Sequence, residues 1–258
     1  MVWLVRGSVR RRGGGVKRGR LRGMAAPVLV LLHSPLVGPA TLAPLASALR
    51  KLGHVVTVPR MHEAGFEGTP AWASWVDSAF EQVAALWAGP IVLVGHSGAG
   101  PLLPVLADRL GERVAGLVFL DAGLPPAEGA VPLGPADFVR FLDGLEIDGE
   151  LPPWSAWWGT DTLRELIPDA ALLAAVEAEL PRLPVSYFDA SVEVAAGWDE
   201  RLPPAYVRLS AAYDEDAARA RERGFPVGVF EGAHLDTVSR PGEVAEVVDR
   251  VVRELVGE

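Results

Sequence analysis

The sequence predicts an α/β protein built on a mostly parallel sheet of about six strands, with helices on both faces of the sheet. Two observations support this prediction. Apolar runs of strand length alternate along the chain with helical patterns, which is the order that parallel sheets with crossover helices require. The runs are also continuously apolar, as at 27–33, which is typical of strands buried on both faces.

Each element follows from its own pattern. The segment 41–52 has apolar residues on one helical face, and 70–87 repeats apolar residues every three or four positions. The run at 91–95 leads through a glycine-rich turn into a helical segment. We predict strands at 27–33, 54–59, 91–95, 114–121, 205–213 and 226–230, and helices at 41–52, 70–87, 101–110, 214–223 and 243–256.

The alternation stops between residues 124 and 199. This stretch contains nine prolines and half of the eight tryptophans, with only short helical patches such as 169–180. We interpret it as a helical or irregular cap inserted over one end of the sheet. The predicted organisation is therefore a core in two parts, 24–123 and 200–258, separated by a cap at 124–199.

The first 23 residues differ from the rest in charge. They hold eight basic residues and no acidic one, and Met24 stands directly before the first predicted strand. They have too few apolar residues for a secretory signal peptide. We expect a disordered segment that need not belong to the mature protein. A transit-like segment and a tail that binds nucleic acid or membrane are the alternatives.

Composition excludes several functions. The chain carries −9 overall and its first 23 residues carry +8, so residues 24–258 carry −17, which argues against nucleic-acid binding. No apolar stretch reaches 18 residues, so we expect no transmembrane helix, no membrane partner and a cytoplasmic location. The absence of cysteine excludes disulfides and a thiolate nucleophile, and the scattered histidines make a metal site or a cofactor unexpected. Oligomeric state does not follow from the sequence.

The segment Gly95-His96-Ser97-Gly98-Ala99-Gly100 carries the strongest chemical signal. A strand that turns into a helix over so few residues requires small side chains, and these are present around Ser97. Ser97 then lies at the tip of the turn and at the start of a helix, where backbone N–H groups favour negative charge. This position suits a nucleophile whose substrate develops an oxyanion.

Acidic residues and a histidine follow other predicted strands. Ligands of parallel sheets bind beyond the carboxyl ends of the strands. Asp121, Asp214 and His234 each follow a predicted strand, so they should share this edge of the sheet with Ser97. A nucleophilic serine needs a base and an acid that orients the base. Asp214 is the predicted acid, because it stands at the exit of the 205–213 strand, and Asp216 and Asp121 are the alternatives.

These motifs together resemble the α/β-hydrolase fold superfamily. The resemblance runs from about residue 27 to the end of the chain, and it includes the chain order serine, acid, histidine. It implies acyl or related transfer, with Ser97 as nucleophile, His234 as general base and then acid, and Asp214 as the orienting carboxylate. It places the acyl intermediate on a serine, unlike the branches of this fold that use an aspartate nucleophile.

Two positions depart from the family pattern. Ala99 replaces the second glycine of the usual Gly-x-Ser-x-Gly turn, and Pro35 stands in the loop after the first strand, where an oxyanion donor is expected. Proline has no N–H to donate. The Gly98 N–H remains the first expected donor, and the second must come from the Leu36 N–H or the Ser34 hydroxyl.

The cap adds a prediction about the substrate. Trp154, Trp157 and Trp158 stand beside two prolines, and bulky aromatic residues over a site suggest an apolar lining. The alternative is that they pack the cap onto the sheet. We therefore predict a serine hydrolase acting on an ester, thioester or related carbonyl bond of a small, largely apolar molecule. A lyase of the hydroxynitrile or carbon–carbon type, and a binder without catalysis, are the alternatives.

Overall fold

The computed structural model describes residues 26–61, 71–134, 136–157 and 162–257. Strands and helices alternate in its first and last parts. The strands are β1 (Val28–Leu32), β2 (Val55–Thr57), β3 (Ile91–Ser97), β4 (Val114–Ala122), β5 (Gly129–Pro132), β6 (Glu150–Leu151), β7 (Leu183–Pro184), β8 (Ser191–Val194), β9 (Pro204–Arg208) and β10 (Val227–Val229). The α-helices are α1 (Ala43–Lys51), α2 (Ala71–Leu86), α3 (Leu103–Leu110), α4 (Ala136–Asp143), α5 (Thr162–Leu166), α6 (Ala170–Glu177), α7 (Trp198–Arg201), α8 (Asp214–Glu222), α9 (Asp236–Ser239) and α10 (Pro241–Val256).

The main sheet has six strands in the order β10-β9-β4-β3-β1-β2. Every neighbouring pair in it is parallel, with Leu32 beside Gly95 and Leu120 beside Val207. The predicted fold class is thereby confirmed. Because all six strands point the same way, their carboxyl ends form one edge, and the loops after β1, β3, β4, β9 and β10 meet there.

Helices cover both faces of this sheet. Successive residues of β1 alternate between two cores: Val28, Val30 and Leu32 pack on the side of α2 and α3, whereas Leu29 and Leu31 pack on the side of α1 and α10. All five residues are buried, which explains the continuously apolar run in the sequence.

One predicted strand is wrong in length. The segment expected to be extended over 205–213 leaves the sheet after Arg208, and a short 3₁₀ helix follows at Ala211–Tyr213. The physical reason is a change of hydrogen-bond partner. The N–H groups of Leu209 and Ser210 donate to the Asp121 carboxylate at 2.8 and 2.9 Å instead of to a neighbouring strand.

The stretch between β4 and β9 has a different architecture from the rest. It forms two small antiparallel pairs, β5 with β8 and β6 with β7, together with short helices. Its residues Leu142, Leu151 and Phe188 form part of a separate apolar cluster. The boundaries 124–199 and the role of this stretch as a cap remain predictions.

Two further predictions concern the ends of the chain and the membrane. The basic segment 1–23 and Met24 lie outside the described residues. Among the helices that the structure describes, none combines the length and the apolar character needed to cross a bilayer.

Candidate active site

Ser97 ends β3 in a strained backbone conformation. Its φ of 57° is left-handed, which L-residues rarely adopt outside functional turns. The turn needs its glycines: a Cβ on Gly95 would lie 2.9 Å from the Leu103 side chain, and one on Gly100 would lie 2.2 Å from the carbonyl oxygen of Gly123. Ala99 is fully buried, so alanine fits where the family usually has glycine. The strand, turn and helix therefore hold Ser97 at the sheet edge as the sequence predicted.

His234 reaches the same edge from the loop between β10 and α9. Its Nδ1 lies 2.7 Å from Oδ2 of Asp121, and its side chain is 21% exposed while that of Asp121 is 0% exposed. A carboxylate can only accept this hydrogen bond, so Nδ1 carries the proton and the Nε2 lone pair is left for a substrate. His234 thus has the tautomer that a general base requires.

Asp121 is held by an unusually complete set of donors. Besides His234 it accepts the N–H groups of Leu209 and Ser210 on Oδ1, and the Ser210 hydroxyl at 2.6 Å on Oδ2. Burial by itself would raise the pKa of Asp121. The hydrogen bond from His234, its charge and the Ser210 donors outweigh burial and bring this pKa below its usual value. Asp121 is therefore an ionised carboxylate in a buried position.

The prediction that Asp214 orients His234 is corrected by this geometry. Asp214 begins α8 with its side chain 59% exposed, and its Oδ1 accepts from Arg208 Nε at 2.7 Å. Asp216, the second alternative, accepts the N–H of Leu124 at 2.7 Å. Of the three candidates, Asp121 makes the contact with His234. The strand β9 ends at Arg208, so the residues after it turn away before Asp214 is reached.

Two aromatic rings stack with His234. The His96 ring stacks on it with centroids 4.5 Å apart and planes 24° apart, and Tyr213 stacks with centroids 5.3 Å apart and planes 17° apart. His96 is buried, and its Nε2 donates to the carbonyl oxygen of His234 at 3.0 Å. Burial, followed by the proximity of His234, lowers the pKa of His96 to about 3, so this second imidazole stays neutral.

Tyr213 is the residue that sequence reasoning missed. Its hydroxyl oxygen lies 3.2 Å from Ser97 Oγ, so the nucleophile candidate shares a hydrogen bond with a phenol. The signal was present, because Tyr213 directly precedes Asp214 at the predicted strand exit. The three acidic residues that follow Tyr213 suggested a carboxylate at this strand exit, and no sequence pattern indicated a role for the phenol.

The loop after β1 forms the opposite wall of the site. Ser34 is buried, and its Oγ accepts the Leu36 N–H at 3.3 Å. The same Oγ lies 3.0 Å from the position that a Cβ on Gly98 would take, so Ser34 packs directly against Gly98. The three residues predicted to bind an oxyanion, Gly98, Ser34 and Leu36, therefore lie together.

A cavity opens between these groups. It holds about 280 Å³ of space free of protein atoms, a figure that includes open solvent at its mouth. Trp154 reaches it from the stretch between β4 and β9, as predicted for a pocket residue. Its walls are formed by Ser34, Leu36, Val37, His96, Ser97, Trp154, His234 and Leu235.

Trp157, the second predicted pocket tryptophan, does not line this cavity. Trp157 is 5% exposed and packs within the separate apolar cluster, where its Nε1 donates to the Pro152 carbonyl at 2.8 Å. Trp157 thus packs among residues of the stretch between β4 and β9. Trp158 lies outside the described residues. Among the described residues, no group of three or more His, Asp or Glu side chains is arranged to hold a metal ion.

Comparison with curated proteins gives a match over part of the chain. The curated carbendazim hydrolyzing esterase of Nocardioides sp. (strain SG-4G) is 32% identical over 103 residues, which is 37% of this chain. The match spans 42% of that relative, less than half of its length.

Solved structures match over most of the chain. An extracellular α/β-hydrolase from a Paenibacillus species has a TM-score of 0.70 at 19% identity, covering 88% of this chain and 99% of that one. A pyrethroid hydrolase from Sphingobium faniae JZ-2 has a TM-score of 0.62 at 19% identity, covering 88% and 97%. Polyneuridine aldehyde esterase has a TM-score of 0.66 at 16% identity, covering 88% and 99%. At these identities the matches establish a common fold.

The family model described as the alpha/beta hydrolase family matches residues 29–247. This range includes the six strands of the main sheet, the Ser97 turn and His234. The chain therefore belongs to the alpha/beta hydrolase family.

Proposed function

We propose that this protein is a serine hydrolase that cleaves an ester, thioester or related carbonyl bond through Ser97, His234 and Asp121. The observation that carries the proposal is the 2.7 Å contact between His234 Nδ1 and the buried Asp121 carboxylate at the edge where Ser97 ends its strand. A buried ionised carboxylate that fixes the histidine tautomer is the arrangement that activates a serine.

The reaction has two halves. In the first, His234 Nε2 takes the Ser97 proton while Oγ bonds the substrate carbonyl carbon, and the same proton then passes to the leaving group as its bond to carbon breaks. In the second, water attacks the acyl carbon while His234 Nε2 takes a proton from it, the bond between that carbon and Ser97 Oγ then breaks, and His234 returns the proton to Oγ as the acyl group departs as a carboxylic acid. Ser97 Oγ exchanges its hydrogen bond with Tyr213 for one with His234 before it attacks.

The oxyanion is bound by the Gly98 N–H and the Ser34 hydroxyl in this proposal. The Leu36 N–H already donates to Ser34 Oγ, which leaves the Ser34 O–H as the group that can turn its proton to the cavity. The contact between Ser34 and Gly98 keeps both donors on one side of the reacting carbon. Ser34 thereby takes the role that Pro35 cannot fill.

The cavity supports a small, largely apolar substrate. Leu36, Val37, Trp154 and Leu235 form much of its wall, and such apolar side chains suit an apolar acyl or alcohol group. The names of similar proteins, an esterase and pyrethroid hydrolases, support this class of bond. The acidic net charge of −9 disfavours polyanionic substrates.

Hydrolysis of p-nitrophenyl esters with acyl chains from acetate to octanoate tests the proposal. Turnover by the wild type should disappear in Ser97→Ala and His234→Ala. Two matched variants control for the substitution itself: Ser191→Ala at an exposed position of β8, and His54→Ala, which breaks a second His–Asp pair, with Asp249 at 2.6 Å, away from the site. A folded wild type without turnover, or variants that keep it, would contradict a serine hydrolase.

A lyase of the hydroxynitrile or carbon–carbon type is the second candidate. The observation that favours it is the Ser34 side chain in the cavity wall beside Ser97, because a hydroxyl there can also hold a substrate hydroxyl or carbonyl. Release of an aldehyde from a cyanohydrin without ester turnover would favour the lyase. A binder without catalysis would show neither reaction and no labelling of Ser97 by a fluorophosphonate.

A further inference from the structure

Tyr213 contacts both groups that carry the proposed chemistry. Its hydroxyl shares a hydrogen bond with Ser97 Oγ at 3.2 Å, and its ring lies 5.3 Å from the His234 ring at 17° to it. Ser97 Oγ is the atom that would bond the acyl carbon. A hydroxyl within hydrogen-bond distance of that atom is therefore also within reach of the other groups on the same carbon.

The backbone that carries Tyr213 is anchored, through Ser210, to the same carboxylate that contacts His234. Tyr213 closes the 3₁₀ helix Ala211–Tyr213, and its N–H donates to the Ser210 carbonyl at 3.2 Å. Ser210 in turn donates both its N–H and its hydroxyl to Asp121. The phenol is thus placed before substrate binds, at no further cost in ordering.

The phenol can act only as a proton-bearing donor over the ordinary pH range. Burial, helped by the charges of Asp121 and Asp216, raises the pKa of Tyr213 to about 12 despite the opposing hydrogen bond with Ser97. A phenol that stays protonated cannot compete with His234 as the base. It can donate a hydrogen bond to an atom on which negative charge develops.

The sheet places Tyr213 opposite the proposed oxyanion donors. In the strand order β10-β9-β4-β3-β1-β2, Ser34 follows β1 on one side of β3, and Tyr213 follows β9 on the other side. With the carbonyl oxygen of the substrate directed to Ser34 and Gly98, the group beside Tyr213 and His234 is the one that accepts the proton of His234. That group is the leaving group.

We propose that the Tyr213 hydroxyl is a catalytic hydrogen-bond donor to the departing oxygen of the substrate. This inference rests on the proposed serine hydrolase function. When the tetrahedral intermediate collapses, the bond between carbon and the leaving oxygen breaks, and its electron pair goes to that oxygen. The carbonyl double bond re-forms from the oxyanion, and His234 Nε2 delivers its proton to the leaving oxygen. Tyr213 donates a hydrogen bond to that oxygen and keeps its own proton, so an alcohol and the Ser97 acyl-enzyme result.

The experiment compares kcat/KM for acetate esters of alcohols that differ in leaving ability, from p-nitrophenol through phenol to ethanol. All of them give the same acyl-enzyme, and kcat/KM reports only the steps up to departure of the alcohol. Tyr213→Phe keeps the ring on His234 and removes the hydroxyl. Tyr187→Phe is the matched control, because Tyr187 is a buried tyrosine in the separate apolar cluster.

We expect the loss in Tyr213→Phe to grow as the leaving group worsens. A hydrogen bond to an atom that becomes charged corresponds to roughly 10- to 100-fold in rate, so ethyl acetate should lose about that factor, and p-nitrophenyl acetate only a few-fold. Tyr187→Phe should lose the same small factor, or none, with every ester. A fluorinated tyrosine in place of Tyr213, which is a stronger donor, should accelerate the poor leaving groups.

Two results would overturn the role of Tyr213 while leaving the hydrolase intact. One is an equal loss in Tyr213→Phe for all leaving groups, which would indicate a structural role. The other is an unchanged kcat/KM throughout. A wild type that hydrolyses none of the esters would overturn the hydrolase proposal and the Tyr213 role with it, so the two failures are told apart by the wild type alone.

Discussion

A carboxylate lies near the end of β4, and another follows β9, but the two differ in burial and in hydrogen-bond partners. Asp121 at the end of β4 is buried and accepts hydrogen bonds from the N–H groups of Leu209 and Ser210, the Ser210 hydroxyl and His234. Asp214, after β9, is 59% exposed and pairs with Arg208 at the surface. Two aspartates that look alike in the sequence therefore differ in the structure: Asp121 is a buried hydrogen-bond acceptor, and Asp214 is a partly exposed member of an ion pair.

The difference comes from the backbone around each residue. β4 continues to Ala122, so Asp121 is still within the sheet, and its φ of 43° turns the chain at that position. β9 stops at Arg208, and a 3₁₀ turn intervenes before Asp214. Asp121 meets His234 from within the last residues of its strand, whereas Asp214 lies six residues beyond the end of β9, so the position of each strand end separates the two carboxylates.

Replacing each carboxylate with an amide should produce the largest difference in activity between Asp121 and Asp214. Asp121→Asn should lower kcat/KM for p-nitrophenyl acetate by roughly 10⁴-fold, because an amide no longer fixes the His234 tautomer or stabilises its charged form. Asp214→Asn should stay within about 2-fold, because it loses one exposed ion pair. Steady-state kinetics on both variants measures this, and the reverse order would restore Asp214 as the acid.

The free energy of unfolding should also differ between variants of Asp121 and Asp214, although by a smaller effect than the activity does. Asp121→Ala leaves two buried N–H groups and the Ser210 hydroxyl without their acceptor, so the free energy of unfolding should fall by about 3 kcal/mol. Asp214→Ala should change it by less than about 0.5 kcal/mol, since Arg208 keeps its contact with Glu231. Urea unfolding followed by tryptophan fluorescence gives both values. Similar losses in the two variants would mean that Asp121 is not the buried anchor.

One donor to Asp121 can be removed alone. Ser210→Ala deletes the hydroxyl that bonds Oδ2 at 2.6 Å and keeps the backbone N–H bond. We expect a loss of about 1 kcal/mol in the free energy of unfolding and a decrease in kcat/KM of roughly 3- to 10-fold. Ser191→Ala, at an exposed position of β8, is the control and should change neither quantity. A neutral Ser210→Ala would show that Asp121 is oriented without this hydroxyl.

The acid dependence of stability should also distinguish the two carboxylates. The pKa of folded Asp121 lies below its ordinary value of 3.8, so the unfolded chain binds this proton first as pH falls. The stabilisation from ionised Asp121 is therefore complete above about pH 4 to 5 and is lost as pH falls through the lower folded pKa.

The measurement is the difference in free energy of unfolding between wild type and Asp121→Asn. It is followed from neutral pH to a pH below the ordinary pKa of aspartate. The advantage of the wild type should shrink as pH falls through that range. Asp214→Asn serves as the matched variant at each pH. A difference between wild type and Asp121→Asn that does not vary with pH would mean that the folded carboxyl has an ordinary pKa.

Local patterns in the sequence predicted most of the fold and two of the three triad candidates. The continuously apolar runs predicted parallel strands because both faces of each strand are covered. The small residues around Ser97 predicted the sharp turn because a Cβ at Gly95 or Gly100 would meet the next helix or loop. His234 was predicted from its place after the last strand, which depends on chain order alone.

Three features were decided by the tertiary structure. Asp121 became the partner of His234 because the segment after Arg208 donates its N–H groups to it across a sequence separation of 88 and 89 residues. Because β9 ends at Arg208, the chain turns into the 3₁₀ helix that ends at Tyr213. This turn places the Tyr213 ring on His234 and its hydroxyl beside Ser97. The packing of Trp157 away from the cavity depended on neighbours that no local pattern reveals. Short-range periodicity and steric requirements can be read from the sequence by itself. Which of several similar side chains contacts His234 depends on where strands distant in the sequence end.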